Sequence, residues 1–140
     1  MKPVEALQAT LAGEHAAVYL YEVLGARTSR SRTPQLFSDV DAAFRLHRRQ
    51  RDNLSRRIVD RGADPVAAEV SYQLPGRILT PADVEEAALL VERRLASVYG
   101  QLVGSTSGSD RRWGLGALDS CAVRQLAFRG TPEMFPGTTP

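Results

Sequence analysis

Lysine is almost missing from this sequence. Lys2 is the single example, and the other seventeen basic residues are arginine. Cysteine is as scarce, with Cys121 alone, which excludes an intramolecular disulfide and a cysteine-rich zinc site. Aromatics make up only 6%, so the interior must be built from Leu, Val and Ala, a mix that favours helix over sheet. No run approaches the roughly 20 apolar residues of a membrane span. Near the N-terminus Glu5 and Gln8 interrupt any apolar stretch, so no signal-peptide core is expected. Together with the unpaired thiol, this points to a reducing cytoplasm and to no membrane partner.

What is present is ordinary globular material. The chain has 140 residues, 43% of them hydrophobic and 24% charged, enough to bury one core without cross-links. Its net charge of +2 is unevenly spread, since ten arginines between Arg27 and Arg61 face only four aspartates. An arginine bias this general follows from coding composition as readily as from a nucleic-acid partner.

Stop and start signals divide the chain into four helices and a single domain. The first spans about residues 3–25, with Leu7, Leu11, Val18, Tyr21 and Leu24 recurring at helical spacing and Gly25 as its stop. The second spans 34–61, opened by Thr33-Pro34 as cap and first residue, with Val40, Phe44, Leu54 and Ile58 inward. The third spans 81–104, opened by Thr80-Pro81 with Asp83 placed to complete a capping box. Its inner face is Ala88, Leu95, Tyr99 and Leu102. The fourth spans 110–129, for which Leu115, Leu118, Ala122 and Leu126 are read as the inner face. The tail, 130–140, is too rich in Gly and Pro for a helix and is expected on the bundle surface.

The connection at 62–79 is long. Extended, it reaches up to ~60 Å, more than the ~38 Å of a 25-residue helix. It can therefore travel the length of the bundle and join two antiparallel hairpins. Val70, Tyr72, Leu74 and Ile78 are expected to anchor it. A faint repeat supports two related hairpins: Glu14, Tyr21 and Leu24 in helix one match Glu92, Tyr99 and Leu102 in helix three.

Three ionisable residues interrupt the apolar stripes and should point inward: Glu14, His47 and Glu92. Pairing helices one and two across their short turn sets Glu14 against His47. An isolated buried carboxylate is costly, so these groups must find one another, a cation or water. Arg51, four residues after His47, is expected to reach the carboxylates and complete an interior cluster of Glu14, His47, Arg51 and Glu92.

This pattern is similar to that of the four-helix di-iron carboxylate proteins, which carry one Glu on each of two helices and Glu-x-x-His on the other two. Glu14 and Glu92 match the lone carboxylates and His47 matches one histidine. Phe44 stands at its glutamate position, while Asp119 and Ala122 stand at the second Glu-x-x-His. More specifically, the chain resembles a ferritin-like family of uncharacterised bacterial proteins over most of its length. The resemblance rests on Glu14-His15-Ala16-Ala17 with Tyr19 and Tyr21, on His47 with Arg51-Asp52, on Tyr72-Gln73-Leu74-Pro75, and on Phe135-Pro136-Gly137. It implies an all-α, ferritin-like antiparallel four-helix bundle and carries no activity with it.

Three functions follow in order of preference. The first is a non-catalytic bundle, a homodimer with a metal-free polar interior and no cofactor. The second is a binder of iron or another divalent metal, or a metal-dependent oxidoreductase, using Glu14, His47, Glu92 and Asp119. The third is nucleic-acid binding along an outer stripe of helix two, Arg45, Arg49 and Arg56, against which stands the usual solvated role of charge runs. His15 is a boundary residue in this reading, and Cys121 packs as a small hydrophobe.

Overall fold

The computed structural model describes residues 1–138. It holds four helices: α1 (Pro3–Ala26), α2 (Pro34–Asp60), α3 (Pro81–Ser105) and α4 (Gly108–Ala127), and no strand among the described residues. They form a four-helix bundle in which α1 packs against α2 and α3, and α3 against α4, while α2 barely touches α3 or α4. The centre is filled by Leu7, Leu11, Leu24, Leu54, Ile58 and Leu102, all fully buried. Each contributes roughly 1.5–3 kcal/mol of apolar burial.

Helix starts are set locally. Thr80 Oγ1 accepts the Asp83 N–H at 3.1 Å, and Asp83 Oδ2 accepts the N–H groups of Leu79 and Thr80. Those two backbone donors hold the Asp83 carboxyl below its usual range. Thr33, expected to cap α2, does not. Its hydroxyl instead donates to the Ser29 carbonyl and accepts the Ser29 N–H, closing the α1–α2 turn.

The fourth helix differs most from the sequence reading. It runs Gly108–Ala127 rather than 110–129, and its buried face is Gly114, Ala117, Cys121 and Gln125. Leu115 and Leu126 are about half exposed. Apolarity picked the wrong stripe because α4 approaches α3 closely. Gly114 sits against Leu102 and Val103, where a leucine would not fit. The large residues were displaced outward and Phe128, just past the helix, fills the core instead.

The connection at 62–79 lies along α1. Gln8 holds its start, donating to the Asp64 carbonyl and accepting the Val66 N–H. His15 Nε2 donates to the Val66 carbonyl at 2.9 Å. Farther on, the Tyr19 and Tyr72 rings meet at 5.5 Å, Ile78 is buried, and Arg27 donates to the Ile78 carbonyl. Leu74 packs on the core as expected. Val70 does not anchor the segment, since its side chain is wholly exposed. The tail lies on α3, where Ser97 Oγ donates to the Gly137 carbonyl. The last two residues of the predicted tail fall outside the described range.

Candidate functional site

Glu14 of α1, His47 of α2 and Glu92 of α3 meet at mid-bundle, each 0% exposed. His47 bridges the carboxylates. Its Nδ1 donates to Glu14 Oε2 at 2.7 Å and its Nε2 to Glu92 Oε1 at 2.9 Å. Carboxylate oxygens only accept, so both ring nitrogens must carry protons and the ring is an imidazolium. Burial alone would lower the His47 pKa, but the charge of Glu14 and hydrogen bonds to both glutamates outweigh it and raise the value to about 9. Burial likewise works against the Glu92 carboxylate, and His47, then Arg124 and Tyr21, reverse it, bringing its pKa to about 2.

Two tyrosines complete the accepting pattern. Tyr21 donates to Glu92 Oε1 at 2.6 Å and stacks on the His47 ring at 5.3 Å. Tyr99 donates to Glu14 Oε1 at 2.5 Å. Burial, and then the carboxylate each one faces, push both phenols well above their ordinary range. The Glu–Tyr repeat noted in the sequence is therefore a reciprocal pair of contacts, each tyrosine serving the other helix's carboxylate.

The fourth charge comes from an unexpected residue. Arg51 turns away to its neighbour Asp52, with Nε and Nη2 on Oδ1 at 3.0 and 2.9 Å. Its position 40° off the His47 direction is enough to leave the core, and a carboxylate one residue away captures it. Arg124 of α4 takes the place assigned to Arg51, with Nε on Glu92 Oε1 at 2.9 Å and Nη1 on Ser120 Oγ at 3.1 Å. Burial opposes the Arg124 charge, yet Glu92 raises its pKa above the usual value. Two carboxylates and two cations thus balance, with Glu14, His47 and Glu92 fully buried and Arg124 at the boundary. The misplaced inner stripe of α4 is what hid Arg124. With Cys121 and Gln125 recognised as buried, Arg124 would have followed as a boundary residue.

Asp119 is exposed on α4 and does not join the cluster. Among the described residues, no group of three or more His, Cys, Asp or Glu is arranged to hold a metal ion. Cys121 is buried next to the cluster, and burial followed by the Glu92 charge raises its thiol pKa well above normal. Arg45, Arg49 and Arg56 are exposed, with Arg45 paired to Asp41 at 3.1 Å. A second buried ion pair was not foreseen: Asp110, 3% exposed at the start of α4, accepts from Arg57 Nη1 at 2.7 Å and from Arg61 Nη2. It joins α4 to the end of α2, and its only sequence signal was its place in the first turn of α4.

No helix among the described residues is long and apolar enough to cross a membrane. Among curated proteins no sequence matches this chain. Among solved structures, it is similar to a conserved hypothetical protein, rv2844, from Mycobacterium tuberculosis, at 28% identity and a TM-score of 0.84, over 91% of this chain and 94% of that one. The family model described as Domain of unknown function (DUF4439) matches residues 6–140, nearly the whole length, and the chain belongs to that family.

Proposed function

We propose that this protein is a ferritin-like antiparallel bundle with a structural or interaction role, in which a buried ion-pair network stands where di-iron proteins hold metal. The observation that carries the reading is His47, whose two ring nitrogens both donate to carboxylates. A metal ligand must offer a lone pair, and His47 has none to offer in this arrangement. Arg124 supplies the remaining positive charge that an ion would otherwise bring. Glu14, His47 and Glu92 are also fully buried, while Arg124 reaches the groove between α2 and α4.

The antiparallel, ferritin-like arrangement is supported by which residues meet. Between α1 and α3, Glu14 meets Tyr99 while the later Tyr21 meets the earlier Glu92. Between α3 and α4, Glu92 meets Arg124 while Val103 meets Arg111. A connection laid along α1 fits two hairpins joined by one crossover. A cytoplasmic homodimer is part of the proposal. The exposed apolar residues of α4, Leu115, Val123 and Leu126, are the surface offered for the second copy.

The metal reading retains one point in its favour: Glu92 Oε2 is buried without a partner. Elemental analysis of protein purified without chelator separates the two. The expected result is iron, manganese and zinc well below one equivalent. Stoichiometric metal that disappears in Glu14→Ala would overturn the proposal, and light scattering tests the dimer.

A further inference from the structure

The sparse contact between α2 and α4 leaves a groove between them. One part, of about 390 Å³, is lined by Arg49, Gln50 and Asn53 of α2 and by Arg112, Trp113 and Ser120 of α4, among others. It continues past Arg49 and Ser120 toward Arg124. Gln50 is 8% exposed, and its Oε1 is buried without a hydrogen-bond partner. Leaving such an atom unpaired costs stability that a bound donor would recover. Asn53 has its Oδ1 fixed by Arg57 Nε at 2.7 Å, so its amide N–H groups remain to donate. Arg57 also lies 4.9 Å over the Trp113 ring, holding the indole in place as part of the wall.

Charge is one-sided in the part beside Trp113, while Asp39 and Asp119 line the continuation. No acidic residue lines the part beside Trp113. Among the described residues, neither Arg49 nor Arg112 has a carboxylate partner, so both guanidinium groups are free to meet an anion. Two unpaired guanidinium groups, one from each wall, match a phosphomonoester, which carries close to two negative charges at neutral pH, better than a singly charged carboxylate.

We propose that this α2–α4 groove binds a small phosphomonoester that also carries a hydroxyl or amino donor. Arg49 and Arg112 clamp the phosphoryl group, Gln50 Oε1 accepts from the donor, and the indole of Trp113 borders the rest of the molecule. The site is separate from the buried cluster and does not depend on the structural role proposed above.

Trp113 is the only tryptophan, so its fluorescence reports this groove alone. The full-length protein is titrated with ribose 5-phosphate, adenosine 5′-monophosphate, inorganic phosphate and ribose, with calorimetry in parallel. Saturable binding of either organic phosphate is expected, with ribose silent and inorganic phosphate about tenfold weaker, since it lacks the second contact. Arg112→Gln and Arg49→Gln should each weaken binding about tenfold or more, as loss of a charge-assisted hydrogen bond does. Both residues are exposed, so these variants keep the fold. Gln50→Leu should weaken binding without changing its salt dependence. The proposal is overturned if neither organic phosphate binds, if inorganic phosphate binds as well as they do, or if Arg112→Gln leaves the titration unchanged.

Discussion

Tyr21 of α1 gives its hydroxyl hydrogen to Glu92 of α3 across 71 residues of sequence. Tyr99 returns the contact to Glu14, but the two tyrosines do not carry equal weight. Glu92 Oε1 accepts from Tyr21, His47 and Arg124 together. Glu14 Oε1 has Tyr99 as its one donor among the described residues. Tyr99→Phe should therefore cost about 1–3 kcal/mol, the penalty for an unsatisfied buried acceptor, and Tyr21→Phe less. Chemical denaturation of the two variants measures this directly. Equal losses, or none, would mean that the hydroxyls pack without contributing as donors.

The pH dependence of stability follows from the two shifted groups, which act on opposite sides of neutrality. His47 rises from 6.5 to about 9 on folding, so its contribution is complete below pH 6.5 and is lost as pH climbs through 9. Glu92 falls from 4.5 to about 2, so its contribution is complete above pH 4.5 and is lost as pH drops through 2. Melting temperature should therefore form a plateau between pH 4.5 and 6.5 and decline from neutral pH upward. His47→Gln should lower the whole curve and flatten its alkaline limb. A limb that survives in this variant would assign the alkaline loss to another group.

The exchange of Arg51 for Arg124 gives a direct contrast between two arginines. Removing one partner from a buried pair strands the other, so Arg124→Met should destabilise by roughly 3 kcal/mol. Arg51→Ala removes a surface contact with Asp52 and should stay within about 0.5 kcal/mol. Combining Arg124→Met with Glu92→Gln should recover part of the loss, as coupled neighbours do in a double-mutant cycle. If Arg51→Ala proves the costlier change, the cluster is not built as described.

Four helices and the placement of Glu14, His47 and Glu92 could be read from the sequence because helical spacing ties each of them to neighbouring leucines. Arg124 could not, and the reason is physical. In α4 the buried face is made of small residues, Gly114, Ala117 and Cys121, and Gly114 packs directly on Leu102 and Val103 of α3. A hydrophobicity pattern weights Leu115 and Leu126 above them and so reports a stripe shifted by one residue, about 100° round the helix, of which Leu118 alone packs against the core. Ion pairs between distant segments, such as Asp110 with Arg57 and Arg61, leave no periodic trace at all. Val70 misled for the converse reason. In an extended segment only some residues face the bundle, and nothing in the sequence marks which ones.

The tail offers a test that separates backbone conformation from packing. Gly137 has φ +80, and a Cβ added there would land on the backbone of Ala96 in α3. Gly137→Ala is therefore opposed twice, by its left-handed conformation and by lack of space. The tail's large apolar groups, Met134 and Phe135, are exposed and bring little burial to the fold. The expected outcome is release of the tail, seen as faster amide exchange at residues 134–138, with global stability changed by less than about 1 kcal/mol. Gly116→Ala is the companion change. That glycine lies inside α4 with open space around it, so alanine should stabilise by about 0.5–1 kcal/mol through helix propensity alone. Unchanged exchange at the tail in Gly137→Ala would show that it does not dock on α3 through this glycine.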